Sequence, residues 1–321
     1  VLTILWALFP VFGIIALAFV AGRTRYLGAD VYAGLNQFVA QVTLPVLTFH
    51  SIATLDAADL AVPTMVIVVV GASYIVWCIA FGFERWRGID AGHATISGLA
   101  AAYGNSAFIG LPVCLAVLGP AGFGPSAVVI ALNTLFVFGG AVFVCALTGR
   151  GPQLPGAVLR TVARQLGTNP LLIGGVLGVV VALLRLPLPV PVDVLMVTLG
   201  NATGPCALVA IGLFMAQSIG GGGSVNRSGA SLFAALAGKL LLMPLITIGM
   251  LAVLPPLPPA WRMTAILMSA MPTASSAFVL ATESGRRSLH VAAVAVILST
   301  IAALATLSIL LFALEYFGSL Q

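Results

Sequence analysis

Two stretches of the chain carry residue types suited to recognising a small charged molecule, and both lie inside apolar runs. They are GNSAFIGLPV (104–113) and SAMPTASSAF (269–278). Pro112 and Pro272 each remove a backbone donor and disfavour helical geometry at the residue before them. Gly104 and Gly110 loosen the backbone further. A helix broken here restarts with unpaired N–H groups, equivalent to about half a positive charge. Asn105, Ser106, Thr273, Ser275 and Ser276 stand beside those ends as neutral hydrogen-bonding groups. Two such ends facing each other make an anion site without any basic side chain. The chemistry expected is recognition, with no catalytic residue, no metal and no cofactor.

The elements that must position these residues are membrane helices. Of 321 residues, 61% are apolar and 7% charged, and the mean hydropathy is +1.18. A water-soluble chain carries about a quarter charged residues, so the composition points to an all-α, polytopic membrane protein. Apolar segments of spanning length occur near 3–22, 33–53, 62–83, 94–118, 124–147, 170–186, 191–217, 229–254, 261–282 and 290–316. Each approaches the roughly 20 residues that cross about 30 Å of hydrocarbon. Ten spans result. Cys78, Cys114, Cys145 and Cys206 all fall within them and read as small buried apolar residues.

Arginine placement orients the spans. With the N-terminus outside, the inner loops carry Arg23, Arg25, Arg85, Arg87, Arg150, Arg160, Arg164, Arg227, Arg286 and Arg287. Only Arg185 and Arg262 fall outside. That asymmetry places both termini on the outer face of a plasma membrane. The net charge of +5 therefore reports topology, and no nucleic-acid partner is expected. The first span lacks a basic leader and is read as retained, not cleaved.

The order of motifs suggests an internal repeat. Thr43-Leu44-Pro45 in the second span and Thr203-Gly204-Pro205 in the seventh are offset by 160 residues. Leu111-Pro112 in the fourth and Met271-Pro272 in the ninth share that offset, whereas Ser106-Ala107-Phe108 and Ser276-Ala277-Phe278 are offset by 170. The five-span period is the robust part. An odd-numbered repeat inserts its second copy upside down, as in many secondary transporters. The expected organisation is a first repeat over 1–148, a cytoplasmic connector over 149–169 and an inverted second repeat over 170–321. Pro112 is expected in the first turn of the outer half of a broken fourth span, with its counterpart break in the ninth.

At this point the residues resemble a family. GNSAFIGLPV is similar to the fourth-span signature of auxin efflux carriers, in which an Asn precedes Gly-x-Pro. SAMPTASSAFVLATESG followed by AVILSTIAALATL resembles their ninth and tenth spans, and KLLLMP (239–244) resembles bacterial members. The resemblance runs the length of the chain, and the short central connector fits a bacterial inner-membrane protein. It implies scaffold spans 1, 2, 6 and 7, usually with a homodimer interface. Spans 3–5 and 8–10 would form a mobile transport domain in which spans 4 and 9 are broken and cross. Plant members carry a proline near the position of Ala277, which leaves the second break anywhere from 272 to 277. Glu283 matches a family position beyond the ninth-span crossover and reads as a mouth or gate residue.

Other polar residues have several readings each. Lys239, alone among basic residues inside a span, costs roughly 2.5–3.5 kcal/mol to insert. It would bond carbonyls released by a break, balance a substrate's charge or stand in for a coupling cation, or snorkel to the inner face. Asn133, Thr134, Ser299 and Thr300 either face the crossover or bond neighbouring helices. His50, His93 and His290 sit at span ends and read as interfacial. GGGGS (220–224) lacks the strand and Lys-Ser/Thr of a phosphate loop and reads as a flexible tether.

The leading functional reading is a secondary transporter of a small mono- or dicarboxylate, bound at the crossover and moved by an elevator-like displacement among membrane lipids. A sodium-coupled symporter of the bile-acid carrier type is the alternative within transport. It requires carboxylates at the crossover, and none of the eight acidic residues falls there. A ligand sensor that transports nothing is the alternative outside transport. Zincin and serine-hydrolase motifs are absent from the sequence, which disfavours an enzyme.

Overall fold

The computed structural model describes residues 2–56, 63–148, 155–218, 229–282 and 285–316. Among them the regular structure is helical, apart from one isolated antiparallel bridge between Gly104 and Thr273. The helices are α1 (Leu2–Arg23), α2 (29–53), α3 (Pro63–Trp86), α4 (Ala91–Ala102), α5 (106–118), α6 (123–148), α7 (Pro155–Gly167), α8 (Pro170–Leu184), α9 (Val190–Ser218), α10 (229–253), α11 (Pro259–Ser269), α12 (Ser275–Ala281) and α13 (Arg286–Tyr316). Five helical stretches are long and apolar enough to cross a membrane: Pro63–Trp86, Ser106–Leu147, Val190–Ser218, Gly229–Val253 and Arg287–Tyr316. The chain is a multi-pass, all-helical membrane protein. The longest stretch changes direction at Gly119, whose φ of 59° ends α5 and lets α6 pack back against it.

Proline shapes several of these helices in the same way. Pro45, Pro112 and Pro244 each sit one residue after a single wide turn. In those turns the N–H of Leu44, Leu111 and Met243 reaches back five residues, to the carbonyls of Val39, Ser106 and Gly238. Proline has no N–H to offer, and its ring clashes with the carbonyl four residues earlier. The wider turn makes room for the ring without ending the helix.

Small residues let the helices approach closely. α1 packs along α9, and α2 along α8. A Cβ at Gly174 would lie 2.5 Å from the Pro45 carbonyl oxygen, so only glycine permits that approach. Gly212 plays the same part against Ile15 and Ala18. Such contacts matter in lipid, where helices associate through packing and hydrogen bonds without a hydrophobic drive. Across the end of the α2–α9 contact, His50 Nε2 and Asp193 Oδ1 lie 2.7 Å apart.

A second set of contacts joins α3, α4, α6, α10, α12 and α13. Near the start of α4 its polar anchor is Glu84, which is fully buried. Arg87 Nη1 donates to Glu84 Oε2 at 3.0 Å and to Ser231 Oγ at 3.2 Å, while Ser97 Oγ donates to Glu84 Oε1 at 3.3 Å.

The connector contains a helix, α7, which packs against the end of α6. Two expectations are corrected. Cys78 is exposed on the apolar surface, not buried. His93 is buried, with Nδ1 2.9 Å from Ser288 Oγ, because the start of α13 packs over the first turn of α4. Glu283 and the glycine-rich stretch at 220–224 lie outside the described residues.

Candidate functional site

Two gaps in the helices meet. α4 ends at Ala102, and Tyr103 is extended (φ −89°, ψ 107°) while its N–H still donates to Leu99. Helix resumes at Ser106. α11 ends at Ser269, and Ala274 is extended (φ −72°, ψ 140°) before α12 begins at Ser275. The exposed backbone of each gap satisfies the other. Asn105 N–H donates to Pro272 O at 2.7 Å, and Ala274 N–H to Tyr103 O at 3.0 Å. Unwound backbone within a membrane requires this kind of internal pairing.

The gaps differ from the sequence expectation in one respect. The first break falls at 103–105, and Pro112 sits well inside α5, accommodated by the wide turn at 106–110. The proline ring does not interrupt the helix there because the turn has already widened. The second break follows the proline directly: Pro272 lies in the gap, and helix resumes three residues later at Ser275.

Several polar side chains are committed to holding the gaps. Thr273 is fully buried; its Oγ1 donates to Ala100 O at 2.8 Å and its N–H to Ser299 Oγ at 3.0 Å. Lys239 Nζ donates to Ser269 O, the end of α11, at 2.8 Å. Thr300 Oγ1 bonds back to Val296 O within its own helix.

Others are left with capacity to bind. Asn105 Oδ1 caps α5 by accepting from Phe108 N–H at 3.3 Å. Among the described residues its Nδ2 is buried with no partner. Asn133 Nδ2 donates to Ser106 Oγ at 3.3 Å, and Asn133 Oδ1 is likewise unpartnered. Buried amide groups of this kind are ordinarily paired. An unfilled donor at a helix N-terminus therefore points to a ligand or a water.

Asn105 and Asn133 both line a cavity of about 290 Å³. One wall is built from Tyr103, Asn105, Ser106, Asn133, Thr134, Ser275 and Ser276. The opposite wall comes from Tyr32, Asn36, Ala40 and Leu44 of α2, with Asn169 and Leu171 at the start of α8. The size is near the lower end of the roughly 300–1,000 Å³ typical of small-molecule sites. Among the described residues, no lining residue is acidic or basic. The starts of α5, α8 and α12 all lie on it, and their N–H groups favour negative charge.

Asn105, Ser106, Asn133, Ser275 and Ser276 are thus brought together, with Thr134 beside them. Pro272 and Thr273 form the floor behind the cavity and do not line it. Pro112 lines a separate, apolar cavity with Pro10, Gly204 and Leu208. The α2 and α8 residues were missed by sequence reasoning. Asn36 interrupts an apolar span and Asn169 precedes a proline as a helix cap, accepting from Leu171 N–H at 3.0 Å. Both were visible as local signals, but neither signal reveals which cavity the residue faces.

Comparison with known proteins agrees with this architecture. A "Putative malonate transporter" from Rhizobium meliloti (strain 1021) is 28% identical over 304 residues, covering 94% of this chain and 93% of that one. An "Uncharacterized transporter" from Methanothermobacter thermautotrophicus is 27% identical over 283 residues, covering 84% and 85% respectively. Residues 3–153 and 150–311 match the family described as membrane transport protein, so the chain belongs to that family.

Proposed function

We propose that the protein transports a small organic anion, a carboxylate of malonate-like size, bound in the cavity at Asn105. The observation that carries the reading is Asn105 Nδ2, buried at the start of α5 without a partner among the described residues, in a side chain of the cavity's lining. A carboxylate oxygen would satisfy it while lying in the favourable field of the helix N-termini. The malonate relative supplies the size class.

The arrangement supports alternating access of the elevator type. The cavity has one wall on the α2 and α8 pair and the other on the crossed gaps, so binding and release require these walls to move apart. α1 with α9 and α2 with α8 are the pairings expected of an inverted repeat, since exchanging the halves converts one pair into the other. Ten passages, both termini outside and a homodimer in a bacterial inner membrane complete the reading. No carboxylate lines the cavity among the described residues, which favours a carrier of the auxin efflux kind over a sodium symporter.

A thermal-shift screen of carboxylic acids on purified protein tests the binding step, since a ligand of the native state stabilises as RT ln(1 + [L]/Kd). Malonate or a close analogue should raise the melting temperature and enter proteoliposomes as labelled substrate. A flat response to every carboxylate, with no uptake, would remove the anion-site reading.

A further inference from the structure

Among the described residues the cavity has no charged lining, yet Lys239 lies directly behind it. Lys239 is fully buried, and its Nζ has one hydrogen-bond partner among the described residues, the Ser269 carbonyl at 2.8 Å. The wide turn at Gly238–Leu242 presses α10 onto α4, where a Cβ on Gly238 would come within 2.7 Å of Ala101 Cβ. The lysine side chain therefore ends at the C-termini of α4 and α11, the negative ends of both helices.

Gly104 separates this charge from the anion cavity. A Cβ at Gly104 would lie 3.1 Å from both Cε and Nζ of Lys239, and Gly104 also lines the cavity on its other side. Asn133 likewise lines both the cavity and the void around the ammonium. That void measures about 10 Å³, room for a single water and no counter-ion. No acidic residue lines it among the described residues.

We propose that Lys239 is the fixed positive charge of the anion site, acting on bound carboxylates through the one unwound strand at Gly104 without touching them. The proposal rests on the anion-site reading above. It assigns the lysine a part in choosing dianions over monoanions. Neutral N–H groups recognise a carboxylate whatever the remainder of the molecule carries. A unit charge across a thin, poorly screened barrier attracts a dianion twice as strongly as a monoanion. A lysine that merely caps α11 would affect stability and leave this preference unchanged.

Calorimetry on the purified full-length chain at neutral pH separates the two roles, using malonate as dianion and its monomethyl ester as monoanion. In Lys239→Met the affinity for the ester should fall about fivefold and that for malonate by about the square of that factor, roughly 25-fold. Ser73→Asp is the companion variant: Ser73 lines the same void, so a carboxylate there pairs the ammonium and keeps it in place. It should lose the same preference, and it carries the test alone if Lys239→Met does not fold. Equal losses for both ligands, or none, would overturn the remote-charge role while leaving the anion site standing. Parent protein that binds neither ligand would overturn both.

Discussion

Asn105 and Pro272 are joined across the two gaps by a 2.7 Å hydrogen bond from the Asn105 N–H to the Pro272 carbonyl. The main chain of Asn105 is therefore structural, while the Nδ2 of its side chain remains unpartnered. That division permits the side chain to be changed without cutting the bond that holds the gaps together.

Asn105→Ala should weaken malonate binding by about 1–3 kcal/mol, the loss expected when a buried hydrogen-bond partner is removed. Asn105→Asp should be worse, because it places a second anion against the first. Calorimetry on purified variants reads both. An Asp variant that binds as tightly as the parent would rule out the crossover as the anion site.

The breaks were legible in the sequence because glycine, proline and short polar residues have no other reason to gather in mid-membrane. Their positions were less so. Pro112 marked the wrong residue: the wide turn at 106–110 absorbs its ring, and the gap lies several residues earlier at Gly104. Thr273 and Ser275 looked equivalent in sequence, yet one is spent on the Ala100 carbonyl and the other lines the cavity. Which face a residue presents depends on the partner helix, and no local pattern encodes that. The wall supplied by Asn36 and Asn169 stayed hidden for the same reason.

Transport should proceed without sodium and carry charge. Among the described residues, the cavity is lined by no carboxylate that could hold a cation or proton beside the substrate. Anion movement would then respond to membrane potential at about 2.3 kcal/mol per charge per 100 mV. Uptake into proteoliposomes with clamped potential and pH reads this directly. Dependence on sodium, or a current-free signal that follows imposed pH, would contradict it.

The sidedness proposed from the arginines can be tested at α7. Arg164 is exposed near the end of that helix. In a cysteine-free background, Arg164→Cys should resist a membrane-impermeant maleimide added outside right-side-out vesicles, and react once they are opened. Labelling of intact vesicles would invert the topology.

Arg87→Ala should destabilise the fold far more than Arg85→Ala. Arg87 compensates Glu84, which is fully buried and would be left with only Ser97. Losing one partner of a buried pair costs about 3 kcal/mol or somewhat less, since Arg87 is itself partly solvated. Arg85 donates from an exposed position to Ile89 O, and its loss should stay within about 0.5 kcal/mol. Denaturation midpoints of the two variants in the same detergent make the comparison. Equal midpoints would mean that Glu84 is stabilised by something other than its arginine.

The proposed displacement has a local reporter in three adjoining rings. Phe214 of α9 contacts Tyr32 of α2 at 5.9 Å between ring centroids, and Phe278 of α12 at 5.6 Å. Under the elevator reading, Tyr32 and Phe214 belong to the same stationary scaffold, whereas Phe278 travels with the crossed gaps. The two contacts are of similar length and depth, so a packing argument alone gives no reason to treat them differently. Motion does. Cysteines at 214 and 278, joined by a short bifunctional reagent in an otherwise cysteine-free chain, should arrest uptake while leaving malonate binding measurable. The same reagent across cysteines at 32 and 214 should leave uptake close to that of the untreated double variant. Arrest by both links would indicate that the scaffold itself deforms during transport. Arrest by neither would show that the cavity empties without separating its two walls, and the elevator reading would fall.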